Sequence, residues 1–187
     1  MDSTIYFHDL KLKLASYGAI RPQVWAKILA GLSETDLKIN ESFIREIGSV
    51  VYVADGLLKE YDTYHRKKPS VVNFIHTGNF LVTSKHNQFK YIKAIRPTKL
   101  VYLDFDTLIS VFLKHKELYS IYNGVIANYD NGIAFRQLIL EENSTTAKIQ
   151  LFIKRYRPIL SSLKKKDIAN YIHSEYEYFI RIYGKLL

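Results

Sequence analysis

The stretch that decides the fold is Lys164–Leu187, KKKDIANYIHSEYEYFIRIYGKLL. Its apolar positions form two short helical stripes, which a polar break at residues 173–175 separates. A short helix, a tight turn and a second amphipathic helix make a helix-turn-helix. Because three lysines stand directly before it, the segment predicts contact with DNA and favours a regulator over an enzyme.

The spacing within this segment assigns roles to single positions. The first helix is expected to contain Ile168–Tyr171, and the second to begin near Glu175 or Tyr176. The apolar residues expected to face the core are Ile168, Ile172, Phe179 and Ile182. Side chains on the outward face of the second helix can contact base edges. Lysines contact phosphates, and those contacts increase affinity without distinguishing one DNA sequence from another. The predicted DNA-binding residues are Lys164, Lys165, Lys166, Ser174, Glu175, Tyr178, Arg181 and Lys185, with Arg181 as the candidate for a bidentate guanine contact.

The charge distribution agrees with this assignment. The net charge is +9, and residues 148–187 hold nine Lys or Arg against three Asp or Glu. Positive charge concentrated in one segment is typical of a module that binds a polyanion. A solvated basic face is the alternative interpretation, and charge alone does not separate the two.

The composition of the chain excludes several other classes of protein and of site. The chain has 187 residues, 48% of them hydrophobic, which is enough to bury a core. The absence of cysteine excludes disulfides, thiolate metal sites and cysteine nucleophiles. No apolar run approaches the roughly 20 residues of a membrane span, and the first residues lack the pattern of a secretory signal. A cytoplasmic protein without a membrane contact is therefore expected.

The first two thirds of the chain change pattern twice. Residues 1 to about 34 are predicted to be helical, with Pro22 at a helix start. Residues 42–105 contain short β-rich runs at roughly ten-residue spacing with turn residues between them, which indicates an antiparallel sandwich or jelly roll. The pattern is helical again from Phe105 onwards.

A long helix is predicted from about Leu118 to Glu142. Residues that are apolar or small, apart from the polar Asn128, recur along it at steps of three and four, at Ile121, Val125, Asn128, Gly132, Phe135 and Ile139. This spacing is typical of a coiled-coil seam between two copies. An ordinary helix packed on its own domain has the same pattern, and that alternative stays open. The polar residues 141–146 end the helix and can cap a next one that begins near Thr145 or Thr146.

This order resembles the Crp/Fnr family of bacterial transcription regulators. DIANYIHSEYEYFIRI (167–182) is similar to the helix-turn-helix of short family members. YVADGLLKEY (52–61), VVNFIHTGNF (71–80) and IKAIRPTKLVYLDFDTL (92–108) are similar to successive strands of a cyclic-nucleotide-binding-like roll, and TTAKIQLFIKRYRPIL (145–160) to the segment before the DNA-binding domain.

The resemblance implies an α+β fold in three parts. Residues 1–117 would be N-terminal helices and a double-stranded β-helix (jelly-roll) sensor domain. Residues 118–143 would be a dimerisation helix, and residues 144–187 a helix-turn-helix (winged-helix-like) DNA-binding domain. DNA and a second copy of the chain, joined through residues 118–142, would be the partners, and a contact with RNA polymerase is a further expectation.

The same resemblance places an effector site at and after the turn that Gly78, Asn79 and Phe80 form. The candidate residues are Gly78, Asn79, Phe80, Ser84, Lys85, Gln88 and Phe89. The family pattern has an arginine where Gln88 stands, and its planar fork holds the phosphate. Gln88 is neutral, and Phe89 is bulky where the phosphate would lie. We therefore predict no cofactor and no tight binding of cAMP or cGMP.

The helix-turn-helix also departs from the family pattern. The turn usually has a glycine, because a left-handed backbone is needed there, and here it is His173. A frequent basic position of the second helix is Tyr183. A protein-interaction module that keeps the fold without binding DNA is therefore the alternative function. An enzyme of the cupin type would need clustered metal ligands, and the six histidines are dispersed.

Overall fold

The computed structural model of the chain describes residues 3–64, 67–103 and 105–186. Its helices are α1 (Ser3–Ala15), α2 (Pro22–Gly31), α3 (Phe105–Lys114), α4 (Leu118–Glu141), α5 (Thr145–Tyr156), α6 (Lys165–Tyr171) and α7 (Tyr176–Tyr183), with a 3₁₀ helix over Arg157–Ser162. Its strands are β1 (Leu32–Leu37), β2 (Ser42–Phe43), β3 (Val50–Asp55), β4 (Leu57–Asp62), β5 (Ser70–His76), β6 (Phe80–Val82), β7 (Tyr91–Ala94) and β8 (Thr98–Leu103).

The eight strands form two four-stranded antiparallel sheets, in the orders β1-β8-β3-β6 and β2-β7-β4-β5. Strands that alternate between two facing sheets make the predicted jelly roll, and the α+β class is confirmed. Gly56 joins β3 to β4 with φ +119°, and a Cβ there would lie 2.6 Å from the Thr98 Cα. Only glycine fits this link between the sheets.

Strand β1 corrects the prediction that residues 1 to about 34 are helical. The helix α2 ends at Gly31, and Leu32 already pairs with Leu103 of β8. Lys99 of β8 makes ion pairs with Glu34 and Asp36 across the ladder. The segment LSETDL has little apolar periodicity of its own, so its partner strand decides its conformation.

The long helix α4 has nearly the predicted bounds, but its seam faces its own domain. Ile121 and Val125 are 4% and 2% exposed in a core shared with the sheets. The Asn128 side-chain oxygen accepts the backbone N–H of Phe80 at 3.2 Å. The structure therefore supports the interpretation in which α4 packs on its own roll. The prediction of a seam between two copies through these residues is wrong.

The C-terminal helices share a core with the roll. Phe152, Tyr171 and Phe179 are buried together with Leu57 and Phe74 of the second sheet. Residues 105–186, as the structure describes them, contain helices and turns only, so the helix-turn-helix has no wing strands beside it there. The division at residues 117 and 143 stays a prediction. Among the described residues no helix is long and apolar enough to cross a membrane.

Candidate nucleic-acid interface

Helices α6 and α7 and the turn between them form the predicted helix-turn-helix. The turn closes where the N–H of Ser174 donates to the Ala169 carbonyl at 2.9 Å. His173 has φ +54°, a left-handed conformation that is uncommon for residues other than glycine. The predicted backbone requirement is thus confirmed, although a histidine meets it.

The reading face predicted for α7 is exposed. Tyr178 is 43% exposed, and Arg181 and Lys185 lie on the solvent side of the same segment. The Arg181 guanidinium lies 5.2 Å from the centre of the Tyr178 ring. The face therefore joins an aromatic ring to two cations, which suits a base edge or a phosphate.

The lysines at the start of α6 contact α7 as well. Lys164, Lys165 and Lys166 are exposed. The ammonium groups of the last two lie over the rings of Tyr183 and Tyr176 at 5.7 Å and 5.6 Å. These contacts bring the lysines against the side of α7 that carries Tyr176 and Tyr183. At 3.6 residues per turn, Tyr178 and Arg181 lie on the other side of that helix, so the contacts do not place the predicted phosphate contacts on the reading face.

Glu175 has a structural role that the sequence did not show. Both of its carboxylate oxygens cap α7, accepting the N–H groups of Glu177 at 3.1 Å and of Tyr178 at 2.8 Å. The N–H groups of Tyr178 and Glu177 hold the pKa of the Glu175 carboxyl below its ordinary value. The neighbouring Ser174 hydroxyl donates to the Glu175 carbonyl, so both predicted contact residues already have local partners.

The core positions of the motif are largely as predicted. Ile168, Ile172 and Phe179 are at most 1% exposed. Ile182 is only half-buried, and Tyr183 is buried in its place at 5% exposure. Because Tyr183 stands one turn after Phe179 and its ring centre lies 5.0 Å from that of Phe179, it belongs to the core and not to the reading face.

A buried arginine ties this motif to α4. Arg136, 8% exposed, donates to the Tyr171 carbonyl at 3.1 Å, to the Ser70 hydroxyl at 2.9 Å and to the His173 Nε2 at 2.7 Å. An arginine has only donors, so the imidazole must accept through Nε2. The left-handed turn is thereby fastened to the long helix and to β5.

Two further contacts hold α6 on the roll. The Asn170 side chain accepts the Val71 N–H at 2.6 Å and donates to the Pro69 carbonyl at 3.1 Å. Lys59 and Asp167 form an ion pair of 2.7 Å whose side chains are 12% and 15% exposed. None of these long-range contacts has a local signal in the sequence.

The predicted effector residues lie in two separate places. Gly78 and Asn79 form the turn between β5 and β6, and Phe80 is buried beneath it. Ser84, Lys85 and Gln88 belong to the loop after β6, where the Gln88 side chain donates to the Lys85 carbonyl at 3.1 Å. Phe89 is 60% exposed and stacks on Tyr64. Gln88 is thus satisfied within its loop, and Phe89 lies on the surface.

The interior beside that loop is filled by charged and polar side chains. Arg45 and Glu60 form a 2.6 Å ion pair whose side chains are 2% and 0% exposed. The Tyr129 hydroxyl of α4 donates to the same Glu60 oxygen at 2.6 Å, and the Asn87 amide donates to the Tyr129 hydroxyl at 3.2 Å. Burial, and then the charge of Glu60, raise the pKa of Tyr129 above its ordinary value, so it stays a donor. We call these four residues the internal ionic network.

The internal ionic network bears on the effector that the fold implies. A cyclic nucleotide brings one negative phosphate, which needs an unpaired cation inside the roll. Arg45 already donates to Glu60 and to the Val82 carbonyl at 3.0 Å, and Gln88 carries no charge. The residues present therefore do not fit the usual phosphate clamp. Among the described residues no group of three or more histidine, aspartate and glutamate side chains could hold a metal ion.

Comparisons with solved structures identify the fold. A protein from Eubacterium rectale that is assigned to the Crp/Fnr family superposes with a TM-score of 0.70 at 13% identity, over 89% of this chain and 84% of the other. A cyclic nucleotide-binding domain protein from Listeria monocytogenes has a TM-score of 0.69 at 12% identity, over 95% and 90%. A CooA variant from Carboxydothermus hydrogenoformans has a TM-score of 0.67 at 13% identity, over 84% and 77%. No family model and no curated relative matches the sequence. The chain therefore has the fold of the Crp/Fnr regulators, and the resemblance that its sequence carries is confirmed for the fold.

Proposed function

We propose that the chain is a DNA-binding transcription regulator of Crp/Fnr type that works without the usual cyclic-nucleotide clamp. The observation that carries this proposal is the exposed positive charge of the helix-turn-helix, to which Arg181 and Lys185 contribute at the second helix and the three lysines at 164–166 at the first. The fold shared with the Eubacterium rectale protein, which is assigned to the transcriptional regulators, adds support.

The first experiment measures DNA binding. Genomic fragments are selected with the purified protein at physiological salt, and an enriched sequence is expected without added cyclic nucleotide. Arg181→Ala should then weaken binding to that sequence by about 5- to 150-fold, because a bidentate guanine contact contributes about 1–3 kcal/mol. Lys165→Ala should weaken binding to all sequences alike and lower the salt slope by about 1. Lys114→Ala on α3 is the matched control, since Lys114 is an exposed lysine on another helix.

The alternative is a protein-interaction module, which the exposed Tyr178 favours. DNA binding weakens steeply with salt because the protein displaces counterions. If no sequence is enriched and binding to random duplex DNA does not change with salt, the regulator proposal fails and the interaction module remains. A contact with RNA polymerase stays a prediction.

The dimer proposed for α4 would use the face opposite to the seam. That face is exposed along its length and carries small residues at its centre, which allow two helices to approach closely. Its members are Ser120, Asn123, Ala127, Asp130, Ala134, Leu138 and Glu141. A dimer that binds two half-sites needs its two reading helices about 34 Å apart, one turn of DNA.

A charged substitution at the centre of this face tests the dimer. Ala134→Arg should convert the dimer to a monomer in light scattering at micromolar concentration, because two like charges would meet on the two-fold axis. Ala26→Arg is the control, since Ala26 is also an exposed alanine and lies on α2. If the wild-type chain is a monomer, or if Ala134→Arg leaves a dimer intact, this face is not the interface.

A further inference from the structure

A small polar cleft lies where β5, the turn after it, α4 and α5 meet. It encloses about 30 Å³. Its polar walls come from Asn73, His76, Asn79, Asn128 and Arg155, and no described carboxylate lines it. It includes Asn79 and Phe80 from the predicted effector residues but none of the loop residues 84–89. The cleft is therefore a different place from the loop that the family resemblance indicates.

The Asn73 side chain is the first indication that the cleft binds a ligand. The residue is 3% exposed, and its amide has no hydrogen-bond partner among the described residues. The Asn73 side chain lines the cleft and its amide is not among the fully buried atoms that lack a partner, so the amide is available to bond to a molecule in the cleft. The α4 backbone approaches the amide closely at Gly132, where a Cβ would lie 2.6 Å from the Asn73 Oδ1 and 2.9 Å from its Nδ2.

Two other side chains of the cleft, Asn128 and Arg155, offer donors. Because the Asn128 Oδ1 accepts the Phe80 N–H, its NH₂ group is left to donate. Arg155 lies 5.4 Å over the ring of Phe135 and forms no ion pair with the described residues. Burial lowers the pKa of His76 below its ordinary value of 6.5, and Arg155 and Lys13 lower it further. The charge of the cleft at neutral pH therefore comes from one arginine.

We propose that this cleft binds one oxyanion group, a carboxylate or a phosphate, of a small molecule. Amide and guanidinium donors without a facing carboxylate match the acceptor oxygens and the charge of such a group. The cleft has room for only about two water molecules, so only the oxyanion end of the ligand enters. Because its walls come from the roll, α4 and α5, the bound group would link all three. The inference does not depend on DNA binding.

The test follows the side-chain amides of the full chain by NMR while inorganic phosphate or acetate is added at constant ionic strength. The Asn73 and Asn128 NH₂ signals should shift and saturate with one of the two anions, which also assigns the chemical class. Arg155→Gln should raise the dissociation constant at least tenfold. Arg157→Gln should leave it within twofold, since Arg157 is an exposed arginine two positions further along the chain.

Gly132→Ala gives a second readout, because the added methyl group would displace the Asn73 amide and abolish saturation. Since that variant alters the core, Arg155→Gln on the surface keeps the proposal testable if Gly132→Ala does not fold. Shifts that never saturate with either anion overturn the proposal. So does an equal effect of Arg155→Gln and Arg157→Gln, because it would indicate only general attraction to a basic surface.

Discussion

Arg45→Ala is expected to lower the free energy of unfolding by about 3–5 kcal/mol, because it leaves a buried carboxylate without its cation. Glu60 is fully buried, and one of its oxygens already has no partner among the described residues. In the variant the Tyr129 hydroxyl would still donate to Glu60, but a neutral donor does not compensate the buried charge. Urea titration followed by circular dichroism measures the change.

Two further variants make this prediction specific. Arg45→Met combined with Glu60→Leu should recover at least half of the loss, because an apolar pair needs no desolvation of charge. Lys99→Ala, which removes a surface cation from two ion pairs, should cost no more than about 1 kcal/mol. If Arg45→Ala costs no more than Lys99→Ala, the internal ionic network does not hold the roll together.

Arg136→Ala is expected to lower the free energy of unfolding by about 2–4 kcal/mol, since hydrogen bonds to charged groups contribute about 1.5–3 kcal/mol each without adding fully. The loss should be uneven. Arg136 fastens the left-handed turn at His173, so the amides of α6 and α7 should exchange with solvent faster than those of the two sheets. Hydrogen exchange measured by mass spectrometry gives this comparison.

The conservative variant Arg136→Lys should recover only part of the protection, because lysine lacks the planar fork that reaches three acceptors. Arg157→Ala, an exposed arginine, is the control and should change neither stability nor exchange by a measurable amount. An Arg136→Ala protein whose sheets and C-terminal helices lose protection equally would contradict the local role of this residue.

The elements that the sequence predicted well have strong local signals. α4 begins and ends, and α5 begins, within a residue or two of the predicted positions, because polar residues interrupt a long apolar period there. Ser144 caps α5 by accepting the Ala147 N–H at 3.1 Å. The helix-turn-helix is as predicted because its two stripes and its turn all lie within two dozen residues. Strand β1 was missed because its conformation depends on β8, which lies more than 60 residues away.

The apolar seam of α4 shows the limit of such patterns. A repeat of three and four residues states that one face of a helix is covered, and it does not state by what. Here Ile121 and Val125 are covered by the chain's own sheets, so any partner helix must meet the opposite face. The burial of Tyr183 could not be predicted for the same reason, because it depends on how α7 packs against neighbouring helices.

The sequence by itself determined the α+β class, the order of roll, long helix and helix-turn-helix, and the basic face that supports DNA binding. Those features rest on spacing and composition within short windows. Only the tertiary structure decided how the parts are joined. The contacts of Arg45 with Glu60, of Arg136 with His173 and of Asn73 with Gly132 join positions 15 to 59 residues apart. A lone charged or polar residue in a sequence carries no sign of its distant partner, because burial and pairing arise only when the chain has folded.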